Sequence, residues 1–135
     1  MFGKDADRNL KIYLDHAATT PLDNRVLEAM LPYMNEKFGN PNSMHFYGRE
    51  ARRAVENSRE TIAKILKCNP EEIIFTSGGT EADNTAIFGF TSMLKDKGNH
   101  IITSKFEHHA VLHPFQVLEK RGFNADYISI SKDGF

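Results

Sequence analysis

The sequence predicts an α/β fold organised on a parallel sheet, and three observations carry that reading. Short apolar runs that read as strands, Ile73–Phe75, His100–Thr103 and Ala125–Ile130, alternate with stretches whose apolar residues recur at helical spacing. The helical stretches between them are roughly 15 residues long, the length of a crossover rather than a hairpin. Two polar clusters, Gly78-Gly79-Thr80 and Glu107-His108, fall just past the carboxyl ends of predicted strands, where open α/β sheets bind their ligands.

Composition narrows the function classes. The chain has 135 residues, 40% of them hydrophobic and 26% charged, with a formal net charge of −1, enough for one domain with a real core. Near-neutral charge without a basic block argues against nucleic acid as a partner. No apolar run reaches membrane-spanning length, and the start, Met1 to Leu10, mixes Lys4 and Arg8 with Asp5 and Asp7, unlike a signal peptide. A single cysteine excludes an internal disulfide framework and fits a reducing, cytoplasmic setting. Three parts are expected: an arm and loop over 1–22, a helical segment over 23–68, and the first part of an α/β domain over 69–135.

Taken in order, Ile12–Leu14 reads as a short strand, and Asp15 to Pro21 as a loop, because Pro21 biases Thr20 away from helix. Asp23 caps a helix through Asn35 with Val26, Leu27, Met30 and Leu31 on one face. Phe38 to Ser43 is dense in turn formers, and composition leaves open whether it is a connector or a braced piece of a site. Phe46 to Lys67 is the longest helix. Ala51, Ala54, Val55, Ser58, Ile62, Ile65 and Leu66 form its packed side, and Arg49, Arg52, Arg53, Glu56, Arg59 and Glu60 its solvated one. Cys68 closes it, and Asn69 to Glu72 is a capped turn into the strand at Ile73. The next helix puts Ala86, Ile87, Phe90, Met93 and Leu94 on its apolar side and ends near Gly98. After the strand at His100, a helix carrying Val111, Leu112, Phe115, Val117 and Leu118 is stopped by Gly122. The last strand is followed by a turn at Lys132-Asp133-Gly134 and the end at Phe135, an uncovered edge that leads us to expect truncation.

The organising stretch is Ile73 to Asn84. A strand that breaks at Gly78-Gly79 and turns straight into a helix aims unpaired N–H groups at the positive end of the helix dipole, a place for an anion such as phosphate. Gly78 and Gly79 would permit positive φ and close approach. Thr80 would cap the helix or donate its hydroxyl to a phosphate oxygen, with Asp83 completing a capping box. The turn is neither the dinucleotide fingerprint nor a P-loop. His109 and His113, at i and i+4 beside His108, could bind zinc, but no acidic or cysteine ligand has matching spacing, so no metal is expected.

Four motifs in one order then set a resemblance: Tyr13-Leu14-Asp15-His16-Ala17-Ala18-Thr19-Thr20-Pro21, Phe38-Gly39-Asn40-Pro41-Asn42-Ser43, Phe75-Thr76-Ser77-Gly78-Gly79-Thr80-Glu81 and Glu107-His108-His109-Ala110-Val111-Leu112. From about Ile12 to the end the chain resembles cysteine desulfurases of the NifS/IscS-like type, within the class-V aminotransferase-like enzymes that use pyridoxal 5'-phosphate (PLP). The resemblance implies the amino-terminal part of the large domain of a fold-type-I PLP-dependent transferase. It implies conversion of L-cysteine to L-alanine, with sulfur passed as an enzyme persulfide to an iron–sulfur scaffold or other acceptor, by a homodimer.

Gly79 and Thr80 match the positions that hold the PLP phosphate. His108 matches the histidine that stacks on the pyridine ring and serves as acid/base, a role that suits imidazole. The loops Asp15 to Pro21 and Gly39 to Ser43 match segments near the substrate pocket and dimer interface. The family's Schiff-base lysine in a Ser-x-His-Lys context, its aspartate to the pyridine nitrogen, its nucleophilic cysteine and its substrate-gripping arginine have no counterpart among these residues. Cys68 stands too early to be that cysteine, so this piece alone is expected to be inactive. A selenocysteine lyase, another class-V enzyme, or a non-catalytic degenerate paralogue are the alternatives.

Overall fold

The structure is a computed structural model and describes residues 11–134; the charged start through Leu10 and the final Phe135 lie outside the described residues. It divides into two compact units, Met1–Ile73 and Ile74–Phe135.

In the first unit, helix α1 (Asn24–Asn35) begins where Asp23 was expected to cap it. The Asp23 carboxylate accepts the Arg25 backbone N–H at 2.8 Å and its guanidinium at 2.7 Å. The Arg25 side chain, and then its N–H, hold that carboxyl below its ordinary range. Val26, Leu27, Met30 and Leu31 do share a side, yet α1 buries none of its residues. Ile12–Leu14, expected as a strand, is irregular, because a strand needs a ladder partner and none pairs with it among the described residues. The Tyr13 hydroxyl instead closes the following loop, donating to the carbonyls of Asp15 at 2.8 Å and Thr19 at 3.2 Å.

Helix α2 (Phe46–Leu66) is capped by His45, whose Nδ1 accepts from the Gly48 N–H, and ends at Leu66, two residues before Cys68. Lys67 takes the left-handed conformation (φ 57°), so the Cys68 N–H returns to the Ala63 carbonyl. Gly48, Ala51 and Ala63 are its buried residues, whereas Ile65 and Leu66, expected on the packed side, are exposed. The arginine face is also not simply solvated. Arg49 donates to the Met44 carbonyl, Arg52 to the Pro41 carbonyl at 2.8 Å, and Arg59, ion-paired with Glu56 at 3.1 Å, to the Ile73 carbonyl.

These bonds answer what the Phe38–Ser43 loop is: a segment braced against the start of α2. A Cβ on Gly39 would stand 2.1 Å from the Tyr47 carbonyl oxygen, and one on Gly48 2.2 Å from that of Ser43, so only glycine lets the two backbones meet. The Asn40 side chain accepts from the Asn42 N–H at 2.9 Å, forming a local turn.

The second unit holds the sheet and the candidate site. Strands β1 (His100–Ser104) and β2 (Asn124–Ile128) pair in parallel, with Ile102 opposite Asp126. The expected third strand, Ile73–Phe75, is not a strand, for it joins no ladder among the described residues. Helix α3 (Gly79–Met93) packs on α4 (His109–Lys120), which itself packs on β2. The packed side of α3 is Asp83, Asn84, Ile87, Phe88 and Thr91; Ala86, Phe90 and Met93, expected there, are exposed. A helix apolar on several sides does not reveal from periodicity which side a neighbour takes.

The buried residues of α4 are Ala110, Pro114, Phe115 and Leu118. Phe115 meets Tyr127 of β2 edge-on, with ring centroids 6.4 Å apart. The Tyr127 hydroxyl donates to Glu119 at 2.8 Å. Burial first, then Glu119, pushes the Tyr127 pKa up.

Candidate functional site

The turn into α3 is assembled differently from the expected capping box. Gly78, not Thr80, is the N-cap and has no side chain to offer. That register makes Glu81 the third helical residue, and its carboxylate reaches back to Ser77, accepting the backbone N–H at 2.7 Å and the hydroxyl at 2.6 Å. Asp83 takes no part; it lies on the side packed toward α4. The Ser77 hydroxyl, then the Ser77 N–H, hold the Glu81 carboxyl below its ordinary value of 4.5.

With Ser77 tied back, Ala82 makes the first intrahelical bond, to the Gly78 carbonyl at 3.1 Å. The N–H groups of Gly79, Thr80 and Glu81, and the Thr80 hydroxyl, meet no acceptor or donor among the described residues. All three residues are exposed. Three N–H groups without a partner among the described residues, at the positive end of a 15-residue helix, are the kind of donor set that could cradle an anion.

The glycines contribute space. Gly78 is extended (φ 167°), a conformation open to any residue, and Gly79 is helical, so the expected need for positive φ is absent. A Cβ on either would meet no atom of the described residues within 4 Å, which leaves the approach to the N–H groups clear of them.

His108 is the N-cap of α4. Its Nδ1 accepts from the Ala110 N–H at 3.1 Å, so in the neutral ring the proton is on Nε2, the nitrogen turned away from the helix. The preceding turn is closed by the Ser104 hydroxyl donating to Glu107 at 3.1 Å. His108 is exposed.

One side chain joins the two helix starts. The Asn84 amide nitrogen donates to the Thr80 carbonyl at 2.8 Å and to the Ala110 carbonyl at 3.4 Å. The sequence reading assigned Asn84, Ser77 and Glu81 no role. Glu81, four residues after a serine and next to Thr80, was the visible signal for the turn; nothing local announced Asn84.

The remaining candidates are His109 and His113 on α4, Cys68, and the two polar loops. His109 and His113 stack at 5.0 Å between centroids, and no group of three or more His, Cys, Asp or Glu residues able to hold a metal occurs among the described residues. Cys68 is a half-buried free thiol of the first unit, as is clear from the chain order. The loops Asp15 to Pro21 and Gly39 to Ser43 belong to the first unit as well. No helix among the described residues is long and apolar enough to cross a membrane.

Comparison with known proteins gives consistent matches. The Aminotransferase class-V family matches residues 12–135. The protein named cysteine desulfurase IscS of Dictyoglomus turgidum is 57% identical over 125 residues, 93% of this chain and 32% of that protein. Among solved structures, a NifS-like protein superposes with a TM-score of 0.78 at 42% identity, covering 84% of this chain and 31% of that one. A structure described as SspA in complex with cysteine superposes with a TM-score of 0.80 at 39% identity, covering 88% and 34%. The chain thus spans about a third of the length of the proteins it matches.

Proposed function

Since the chain belongs to the class-V aminotransferase family, we propose that it is the amino-terminal part of a PLP-dependent cysteine desulfurase. The enzyme converts L-cysteine to L-alanine and hands the sulfur, as an enzyme persulfide, to iron–sulfur cluster or thio-cofactor assembly. The relative named cysteine desulfurase and the cysteine-bound structure of SspA support the substrate class. In this reading residues 1–22 are an arm, 23–68 a helical segment and 69–135 the first part of the PLP-binding domain. The covalent lysine and the nucleophilic cysteine belong to the part of the enzyme beyond these residues. The working form in this reading is a cytoplasmic homodimer.

The observation that carries the proposal is the row of N–H groups at Gly79, Thr80 and Glu81 that meet no partner among the described residues, with open space over both glycines among those residues, joined through Asn84 to the helix that His108 caps. These residues fit a phosphate. Gly79 and Thr80 would hold it through their N–H groups and the Thr80 hydroxyl, and the helix dipole would favour its charge. Bound PLP supplies an electron sink for charge developing at the amino-acid Cα. His108, with Nδ1 engaged by Ala110, would lie over the ring and hold or release a proton at Nε2. Glu81 keeps Ser77 folded back so that the cradle stays clear.

The test is product analysis on the full-length enzyme loaded with PLP, supplied with L-cysteine and a thiol reductant. Alanine and sulfide in equal amounts are expected. A keto acid in place of alanine, or no consumption of L-cysteine, would contradict the proposal.

A further inference from the structure

Helix α4 carries a proline in its interior, Pro114, and it is buried. A proline has no N–H, so the carbonyl four residues earlier, that of Ala110, loses its helical donor. Ala110 is itself 6% exposed, which leaves little water to take that donor's place. The structure supplies a donor from the neighbouring helix: the Asn84 amide, 3.4 Å from the Ala110 oxygen, with its other hydrogen on the Thr80 carbonyl at 2.8 Å. Ala110 then uses its own N–H to fix the His108 ring at Nδ1, 3.1 Å away. Thr80, Asn84, Ala110 and His108 are therefore successive members of one hydrogen-bonded chain, running from the anion cradle to the imidazole.

We infer that Asn84 is a positioning residue that sets the spacing between the phosphate-binding turn and His108, using the carbonyl that Pro114 leaves free. The inference rests on the proposed PLP site. Asn84 touches neither phosphate nor substrate; it acts by holding α3 and α4 at one separation. Leucine at 84 has the same branching and number of heavy atoms but no donor, and would release the first turn of α4 from that of α3. Glutamine is one methylene too long for both bonds at once.

Pro114 provides the means to separate positioning from mere satisfaction of a buried carbonyl. In Pro114→Ala, residue 114 regains an N–H and the Ala110 oxygen has a helical donor again. If Asn84 only satisfies that oxygen, Pro114→Ala should cancel every effect of Asn84→Leu. If Asn84 positions the two helix starts, the double variant should regain thermal stability but not function.

The experiment compares wild type, Asn84→Leu, Pro114→Ala and the double variant in the full-length enzyme. The readouts are melting temperature without cofactor, PLP affinity by absorbance titration, and kcat and KM for alanine formation. We expect Asn84→Leu to weaken PLP binding about ten-fold and to lower kcat more than it raises KM, with the melting temperature also reduced. In the double variant the melting temperature should return while PLP affinity and kcat stay low. Recovery of all of these in the double variant, or wild-type PLP affinity and kcat in Asn84→Leu, would overturn the inference. A wild type that binds no PLP would overturn the underlying functional reading, and the inference with it.

Discussion

Replacing Gly48 by alanine gives a prediction whose sign reverses the usual rule. Within a helix, alanine is ordinarily the better residue by about 1 kcal/mol. In this structure the new Cβ would stand 2.2 Å from the Ser43 carbonyl oxygen and 2.7 Å from its carbonyl carbon, when real Cβ contacts do not fall below 3.0 Å. The neighbour is backbone braced by Arg52 and by the Asn40 turn, not the far end of a flexible side chain, so loop or helix must move by most of an ångström. Overpacking against braced backbone costs up to about 3 kcal/mol, more than the gain from helix propensity returns, so we expect a net loss of up to about 2 kcal/mol. That is up to about a 30-fold change in the unfolding equilibrium.

Gly89 is the control. It lies in α3, and a Cβ there would meet nothing within 4 Å among the described residues, so Gly89→Ala should be neutral or stabilising by up to about 1 kcal/mol. The assay is the urea midpoint and slope of the two variants beside the parent. If Gly48→Ala were as stable as Gly89→Ala, the close approach of the Ser43 backbone to α2 would be wrong, and so would the account of why the loop is braced.

Three further outcomes follow from the second unit. Thr80→Val should weaken PLP binding by roughly 10–100-fold, the worth of one hydrogen bond to a charged group, while leaving binding of pyridoxal, which lacks the phosphate, unchanged; equal losses for both ligands would remove Thr80 from the phosphate site. His108→Asn should keep the cap on α4 and hence the melting temperature, and still lose about 10²–10⁴-fold in turnover; His108→Ala should lose both, with some PLP retained. Full activity in either variant would refute the role given to His108. Glu81, whose carboxyl is held below 4.5 by Ser77, stabilises the turn above its unfolded pKa and loses that contribution as pH falls through the folded one. Melting temperatures from pH 3 to 6 should therefore differ between wild type and Glu81→Gln at the upper end and converge below pH 4.5; parallel curves would show that the Glu81 carboxylate does not hold Ser77.

What could be read from the sequence was what local chemistry decides. The Asp23 cap, the length of α2, and the order β1, α4, β2 followed from capping residues, periodicity and turn signals. Partners beyond local range were not legible. Ile73–Phe75 had strand residues but no ladder neighbour among those described. The packed side of α3 was decided by α4, and three arginines assigned to solvent donate instead to backbone carbonyls. Within the site, Gly79, Thr80 and His108 stood out by residue type, whereas the cap was displaced by one decision of register, Gly78 at the N-cap. Pro114 was passed over in the sequence, although a proline inside a helical stretch implies a carbonyl without its helical donor four residues earlier, at Ala110; which side chain answers it depends on the packing of α3.

The most direct measurement is the crystal structure of the full-length enzyme with PLP bound. The account predicts the phosphate within hydrogen-bond reach of the Gly79 and Thr80 N–H groups and the Thr80 hydroxyl, with the His108 imidazole flat against the pyridine ring. A phosphate held elsewhere, or an imidazole that remains on α4 without facing the ring, would contradict it.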